Sequence, residues 1–184
     1  MKNVSLALAA LAALVGLVAA PPASAVWPAP MIVALDLETR VPDPYYVLSG
    51  PIETYRAYPF QDWVSEAFRE YARQKSGALE EEGILQVRVE QLSTRFRAIG
   101  SAGEQRAERV YKTAWLRLEV SFLAGGEILA RRDGWLEAQV TLGWHEAGAE
   151  QYYDFTDVLG AVIAKALAEA DAAVEEALRA SGRR

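Results

Sequence analysis

Apolar and polar positions alternate most clearly between Ala114 and Leu142. Ala114, Leu116, Leu118, Val120 and Phe122 share one parity, and Trp115, Arg117, Glu119 and Ser121 share the other. Leu136, Ala138, Val140 and Leu142 repeat the pattern, interleaved with Trp135, Glu137, Gln139 and Thr141. A period of two puts one set of side chains on each side of a strand, so this stretch predicts an antiparallel hairpin turning at Gly125-Gly126. A three-residue loop, Gly125–Glu127, pairs Leu116 with Leu136, Ala114 with Ala138 and Phe122 with Ala130. A two-residue loop reaches the same apolar matching through a bulge, expected at Gly134. In the favoured register Arg132 falls on the apolar face beside Val120, where it is expected to snorkel past the sheet end.

The chain before the hairpin carries shorter signals. Met31–Glu38 and Tyr45–Leu48 read as strands, Ile52–Tyr58 as irregular, and Trp/Pro-rich Val26–Pro30 as a poorly ordered extended segment. In Ile84–Arg97 the apolar residues change parity, from Leu85, Val87 and Val89 to Leu92, Thr94 and Phe96. One core can accept both sets if a bulge lies near Glu90-Gln91. Ala98–Arg109, small and polar with Gly100 and Gly103, reads as a loop.

Two stretches have helical spacing. After Pro59, apolar residues recur at Phe60, Trp63, Val64, Ala67, Phe68, Tyr71 and Ala72, with Gly77 expected as a left-handed cap. A longer stripe runs from Phe155 through Val158, Leu159, Val162, Ile163 and Ala166 to Leu178. Asp154 or Thr156 is expected to cap its start, and it should end near Ala180. The predicted fold is α+β: an antiparallel meander sheet of three to five strands with two amphipathic helices packed on one face.

The first 25 residues are of a different kind. Lys2 is the only charge before Asp36, Leu6–Ala20 is apolar, and Pro21-Pro22 and Ala23-Ser24-Ala25 follow. A basic start, an apolar run too short for a bilayer and an A-x-A exit predict a secretory signal peptide over 1–25. Residues 26–184 are then a single periplasmic domain, with no integral membrane span after cleavage.

Composition removes several function classes. The net charge is −6, from 25 acidic against 19 basic residues, which does not suit nucleic-acid phosphates. With no cysteine, disulfides, thiolate metal sites and cysteine-borne lipid anchors are excluded. Nucleotide-binding, zinc and nucleophile-elbow motifs are missing, so no catalytic residue, metal site or cofactor is assigned. The single histidine, His145, has no partner at ligand spacing. Asp36 and Glu38, two apart on a strand, read as solvent-facing carboxylates.

Trp115, Arg117 and Trp135 are the candidate binding residues. If two helices cover the even face of the hairpin, the odd face is wet, and there Trp115 lies diagonal to Trp135 while Arg117 lies opposite it. Adjacent exposed tryptophans mark interaction sites, and arginine on tryptophan makes a cation–π pair.

An export signal, a short strand ending Leu48-Ser49-Gly50-Pro51, an amphipathic helix, three meandering strands and a long Ala-rich helix follow one another. This order resembles small bacterial envelope proteins of the YajG-like and ABC-type transport auxiliary lipoprotein groups, over about residues 31–180. The resemblance implies a Gram-negative periplasmic accessory protein and, for the transport group, help in moving lipid-like cargo between membranes. The chain departs from both groups in lacking a lipobox cysteine, and no functional residue carries over. The function expected is a non-enzymatic periplasmic accessory protein that binds an envelope protein partner or transporter component. A small-ligand or lipid carrier, with a pocket between helices and sheet, is the alternative. A hydrolase using His145 is the third.

Overall fold

The computed structural model describes residues 26–37, 45–48, 54–77, 82–100, 107–143 and 154–182. The elements, in order, are β1 (Met31–Leu37), β2 (Tyr45–Leu48), β3 (Thr54–Ala57), α1 (Phe60–Lys75), β4 (Gly83–Gly100), β5 (Ala107–Ala124), β6 (Glu127–Gly143) and α2 (Thr156–Ala180). The main sheet has the order β1-β4-β5-β6, and β2 pairs with β3 in a separate two-stranded sheet.

The fold class is α+β, but the sheet is mixed. β4, β5 and β6 form the antiparallel meander, whereas β1 joins β4 in parallel, Met31 beside Gly83 through Leu37 beside Val89. The reason is the crossover. α1 lies between the two strands in sequence and packs on β1, so the chain re-enters the sheet in its original direction. β3 also replaces the irregular segment expected over Ile52–Tyr58, because Thr54–Ala57 has Tyr45–Leu48 to pair with.

The hairpin register is the favoured one. Leu116 sits beside Leu136, Ala114 beside Ala138 and Phe122 beside Ala130. The device differs from both expectations. The loop is two residues, with Gly125 at φ 59° and Gly126 at φ 83°, values only glycine adopts freely and those a type I′ turn needs. Ala124 pairs with Glu127 and Leu123 with Ile128, and the step from Ile128 to Ala130 leaves Leu129 as the extra residue. The correcting bulge therefore lies beside the turn, and Gly134 stays in register opposite Leu118. β4 contains the expected bulge: the pairing skips from Val89 to Gln91 and passes over Glu90. Leu85, Val87 and Val89 are buried, and Leu92 and Phe96 pack against the same core. β4 and β5 reach further than expected, to Gly100 and from Ala107, so the connection is shorter than Ala98–Arg109.

α2 lies over β5 and β6, and both helices cover the same sheet face. Phe60, Val64 and Phe68 of α1 and Val158, Leu159, Val162 and Ala170 of α2 close on Leu116, Leu118, Val120 and Phe122. α2 ends where expected, with Gly182 left-handed at φ 68°. At its start the Thr156 amide donates to Asp154 Oδ1 at 3.0 Å, although Phe155 holds the cap position.

Two expectations, one for Val26–Pro30 and one for the end of α1, fail for one reason. Val26–Pro30 is ordered against the core: Trp27 and Ala29 are fully buried. The Trp27 ring meets Phe122 at 4.5 Å between centroids, and the Trp27 and Gly77 amides donate to the Lys75 and Ala29 carbonyls at 2.9 and 3.0 Å. This segment runs alongside the end of α1, with Ser76 extended and bridged to Trp27. Gly77 is thus required by close approach and is not a left-handed cap. A Cβ there would lie 2.1 Å from the Pro28 carbonyl oxygen.

Candidate binding face

The register fixes which side chains share the open face of the sheet, the one that no helix covers among the described residues. At the turn end, Ile32, Ile84, Leu123 and Ile128 form one aliphatic row across all four strands. Ion pairs come next. Arg88 meets Asp36 at 3.3 Å, Arg131 meets Glu119 at 3.1 Å, and Arg117 bridges Glu90 at 3.3 Å and Asp133 at 3.2 Å. Each pair is partly exposed, so each contributes little stability on its own. Together they neutralise the middle of the face.

Of the three candidate residues, Arg117 belongs to this belt, and Trp115 and Trp135 flank it on the side away from the turn. Arg117 lies opposite Trp135, and Trp115 opposite Glu137, so the tryptophans are diagonal neighbours as expected. Trp135 is 53% exposed and Trp115 half-buried. Arg117 is engaged by Glu90 and Asp133, and among the described residues it makes no cation–π contact with Trp135. The carboxylates compete for the guanidinium better than the ring does, since charge-assisted hydrogen bonds exceed an exposed cation–π contact.

Sequence reading overlooked the far end of this face. Arg95, Arg97 and Arg109 are all exposed there, with Arg95 beside Thr113 and Arg97 beside Tyr111. Among the described residues none of the three has a carboxylate partner. Tyr111, half-buried, joins the two tryptophans as a third aromatic side chain on the face. The signal was present in the odd positions Arg95, Arg97 and Arg109, but assigning Ala98–Arg109 to a loop removed Arg109 from the sheet. His145 lies outside the described residues.

The covered side holds a second group of charges, all with internal partners. Arg132 does not snorkel away: its Nε donates to Glu169 Oε2 at 2.6 Å, and Glu176 stands 3.8 Å away. That hydrogen bond is the main cause holding the guanidinium above its ordinary pKa. Lys112, 1% exposed, donates to the Asp154 carbonyl and Asp157 Oδ2 at the start of α2. Between the helices the Tyr71 hydroxyl donates to Asp171 Oδ1 at 3.2 Å. Lys75 Nζ lies 2.9 Å from the same oxygen, as an ion pair without hydrogen-bond alignment. Burial, reinforced by the Asp171 charge, pushes the Tyr71 phenol well above its ordinary pKa. These groups join helix to sheet and helix to helix. The space where a carrier's pocket would lie is occupied by Phe60, Phe68, Phe122, Phe155 and Leu159. A surface dent remains at the β6 edge, where Gly134 has no side chain between Arg132, Trp135 and Glu169. Among the described residues no helix is long and apolar enough to cross a membrane.

No family model and no curated protein matches the chain. Three solved structures that align with it are bacterial. A Xanthomonas campestris protein of the DUF330 family is 13% identical, covers 88% of this chain and 92% of its own, and has a TM-score of 0.49. A minor lipoprotein from Acinetobacter baumannii is 9% identical, with 80% and 93% covered and a TM-score of 0.45. The rare lipoprotein B of Shewanella oneidensis is 10% identical, with 78% and 98% covered and a TM-score of 0.43.

Proposed function

We propose that this chain is a non-enzymatic accessory protein of the bacterial envelope that binds an acidic surface of a protein partner through its uncovered sheet face. The observation that carries this reading is the 53% exposure of Trp135 beside Trp115, on a face that also presents Arg95, Arg97 and Arg109. Exposed aromatic rings supply contact area at low entropic cost, and arginines among them select acidic groups. The chain as a whole is acidic, at −6, so a basic area on it is a local concentration of charge. The signal-like segment over residues 1–25 supports delivery to the periplasm, with a protein component of the envelope, such as part of a transport system, as the partner.

Affinity capture from envelope extracts tests the reading, with wild type compared with a Trp115→Ala/Trp135→Ala pair and an Arg95→Glu/Arg97→Glu pair. The expected result is one band lost with both variants and weakened by salt. Equal recovery by all three proteins removes this face from the proposal. Native mass spectrometry of protein taken directly from cells examines the lipid-carrier alternative, for which a co-purifying lipid mass is the required result.

A further inference from the structure

The two edges of the main sheet are unequal. β6 carries Arg131, Arg132 and Asp133 in succession, charges that guard an edge against further pairing. β1, Met-Ile-Val-Ala-Leu-Asp-Leu, has one charge and no proline, and it is the terminal strand of its sheet. The hydrogen bond from the Gly83 amide to the Pro30 carbonyl, 2.9 Å, sets the parity of the parallel ladder. It turns the backbone groups of Ile32, Ala34 and Asp36 towards β4 and those of Met31, Val33, Leu35 and Leu37 outward. The Met31 amide is taken by Ser76 Oγ at 3.0 Å. Val33, Leu35 and Leu37 present outward amides and carbonyls, with no other strand beside them among the described residues. Their side chains point to the covered side yet are only half-buried.

We infer that β1 pairs antiparallel with β1 of a second copy, joining two four-stranded sheets across a two-fold axis at Ala34. The strand is self-complementary in that register. Val33 opposes the partner's Leu35, so both outward backbone sets meet as hydrogen-bonded pairs. Met31 opposes the partner's Leu37, which matches apolar with apolar on the covered side. On the open face Asp36 opposes the partner's Ile32, which avoids two facing carboxylates. Sliding either strand shortens the ladder, and one such slide sets Asp36 against Asp36. A second copy is favoured over an unrelated strand because one seven-residue sequence satisfies both sides at once. This inference goes beyond the proposed binding face and does not depend on it.

The chain has no cysteine, so Ala34→Cys introduces a single thiol at the axis. In a non-hydrogen-bonded antiparallel pair the two Cα atoms lie about 4.5 Å apart, within disulfide reach. Mild oxidation of the full chain as recovered from cells should convert Ala34→Cys to a covalent dimer, while Gln139→Cys on β6 stays monomeric. Sedimentation equilibrium of wild type should show a reversible dimer. Val33→Pro should weaken it by about tenfold or more with little change in melting temperature, because the lost amide faces away from β4. A wild-type chain that stays monomeric at submillimolar concentration overturns the inference. So does a dimer indifferent to Val33→Pro, or equal cross-linking at positions 34 and 139.

Discussion

The two faces of the sheet are built from the same strands, residue by residue, yet they solve different problems. Phe122 and Leu123 are neighbours in β5. Phe122 is fully buried against Trp27, while Leu123 lies in the outward aliphatic row beside Ile84 and Ile128. On the covered face charge is tolerated where a helix returns a counter-ion: Glu169 for Arg132, Asp157 for Lys112. On the open face charge is neutralised across strands, as in Asp36–Arg88 and Glu119–Arg131. The contrast separates the face that holds the fold together from the face proposed to bind. The covered face has its partners within the chain, while the open face presents tryptophan and arginine to the outside.

The largest expected difference tests that separation directly. Phe122→Ala should lose about 3–5 kcal/mol of stability in urea titration, because it deletes a fully packed ring under Trp27. Leu123→Ala, one residue on, should lose under about 1 kcal/mol. Similar losses at both positions would mean that the open face is also covered. Next in size is Asp157→Asn, which removes the carboxylate charge paired with the buried Lys112 ammonium; a loss of about 2 kcal/mol is expected by chemical denaturation.

Smaller again is Tyr71→Phe, which removes the hydroxyl donated to Asp171 and should cost about 1 kcal/mol at neutral pH. Its pH dependence has a definite sign. The folded protein holds the phenol protonated beyond its ordinary pKa of 10.0. Stability from this group is therefore complete below that value and falls as pH rises above it, because the unfolded chain ionises first. Denaturation series above pH 10.0 should show wild type losing stability faster than Tyr71→Phe. The smallest stability effect belongs to Trp135→Ala, within about 0.5 kcal/mol by thermal melting, since its ring is largely in solvent. If the proposed face binds a partner, the same variant should show the clearest loss in partner capture.

Much of this arrangement was legible in the chain. The hairpin register followed from apolar residues that had to meet, and the parity change between Val89 and Leu92 located the β4 bulge. Both helices were readable because their stripes repeat over several turns. The bulge at Leu129 was not legible, since a turn with two left-handed glycines and a longer loop satisfy the same apolar matching. Trp27 was also missed. A lone tryptophan between prolines has no periodicity, and its place in the core depends on Phe122, 95 residues away in sequence. Of the candidate site, the tryptophan diagonal was visible and the neutralisation of Arg117 was not, because Glu90 reaches it through a bulge and a neighbouring strand.

By itself the sequence determined the α+β class, the face of each long strand and helix that turns inward, and the pairing of β5 with β6. These depend on local periodicity and on the cost of exposing apolar side chains, both of which can be read along the chain. Tertiary structure alone decided that β1 runs parallel to β4, that Trp27 and Gly77 close the end of α1, and that α2 supplies the carboxylates for Arg132 and Lys112. Each of these joins residues far apart in sequence through packing and backbone approach, and no local pattern encodes such meetings.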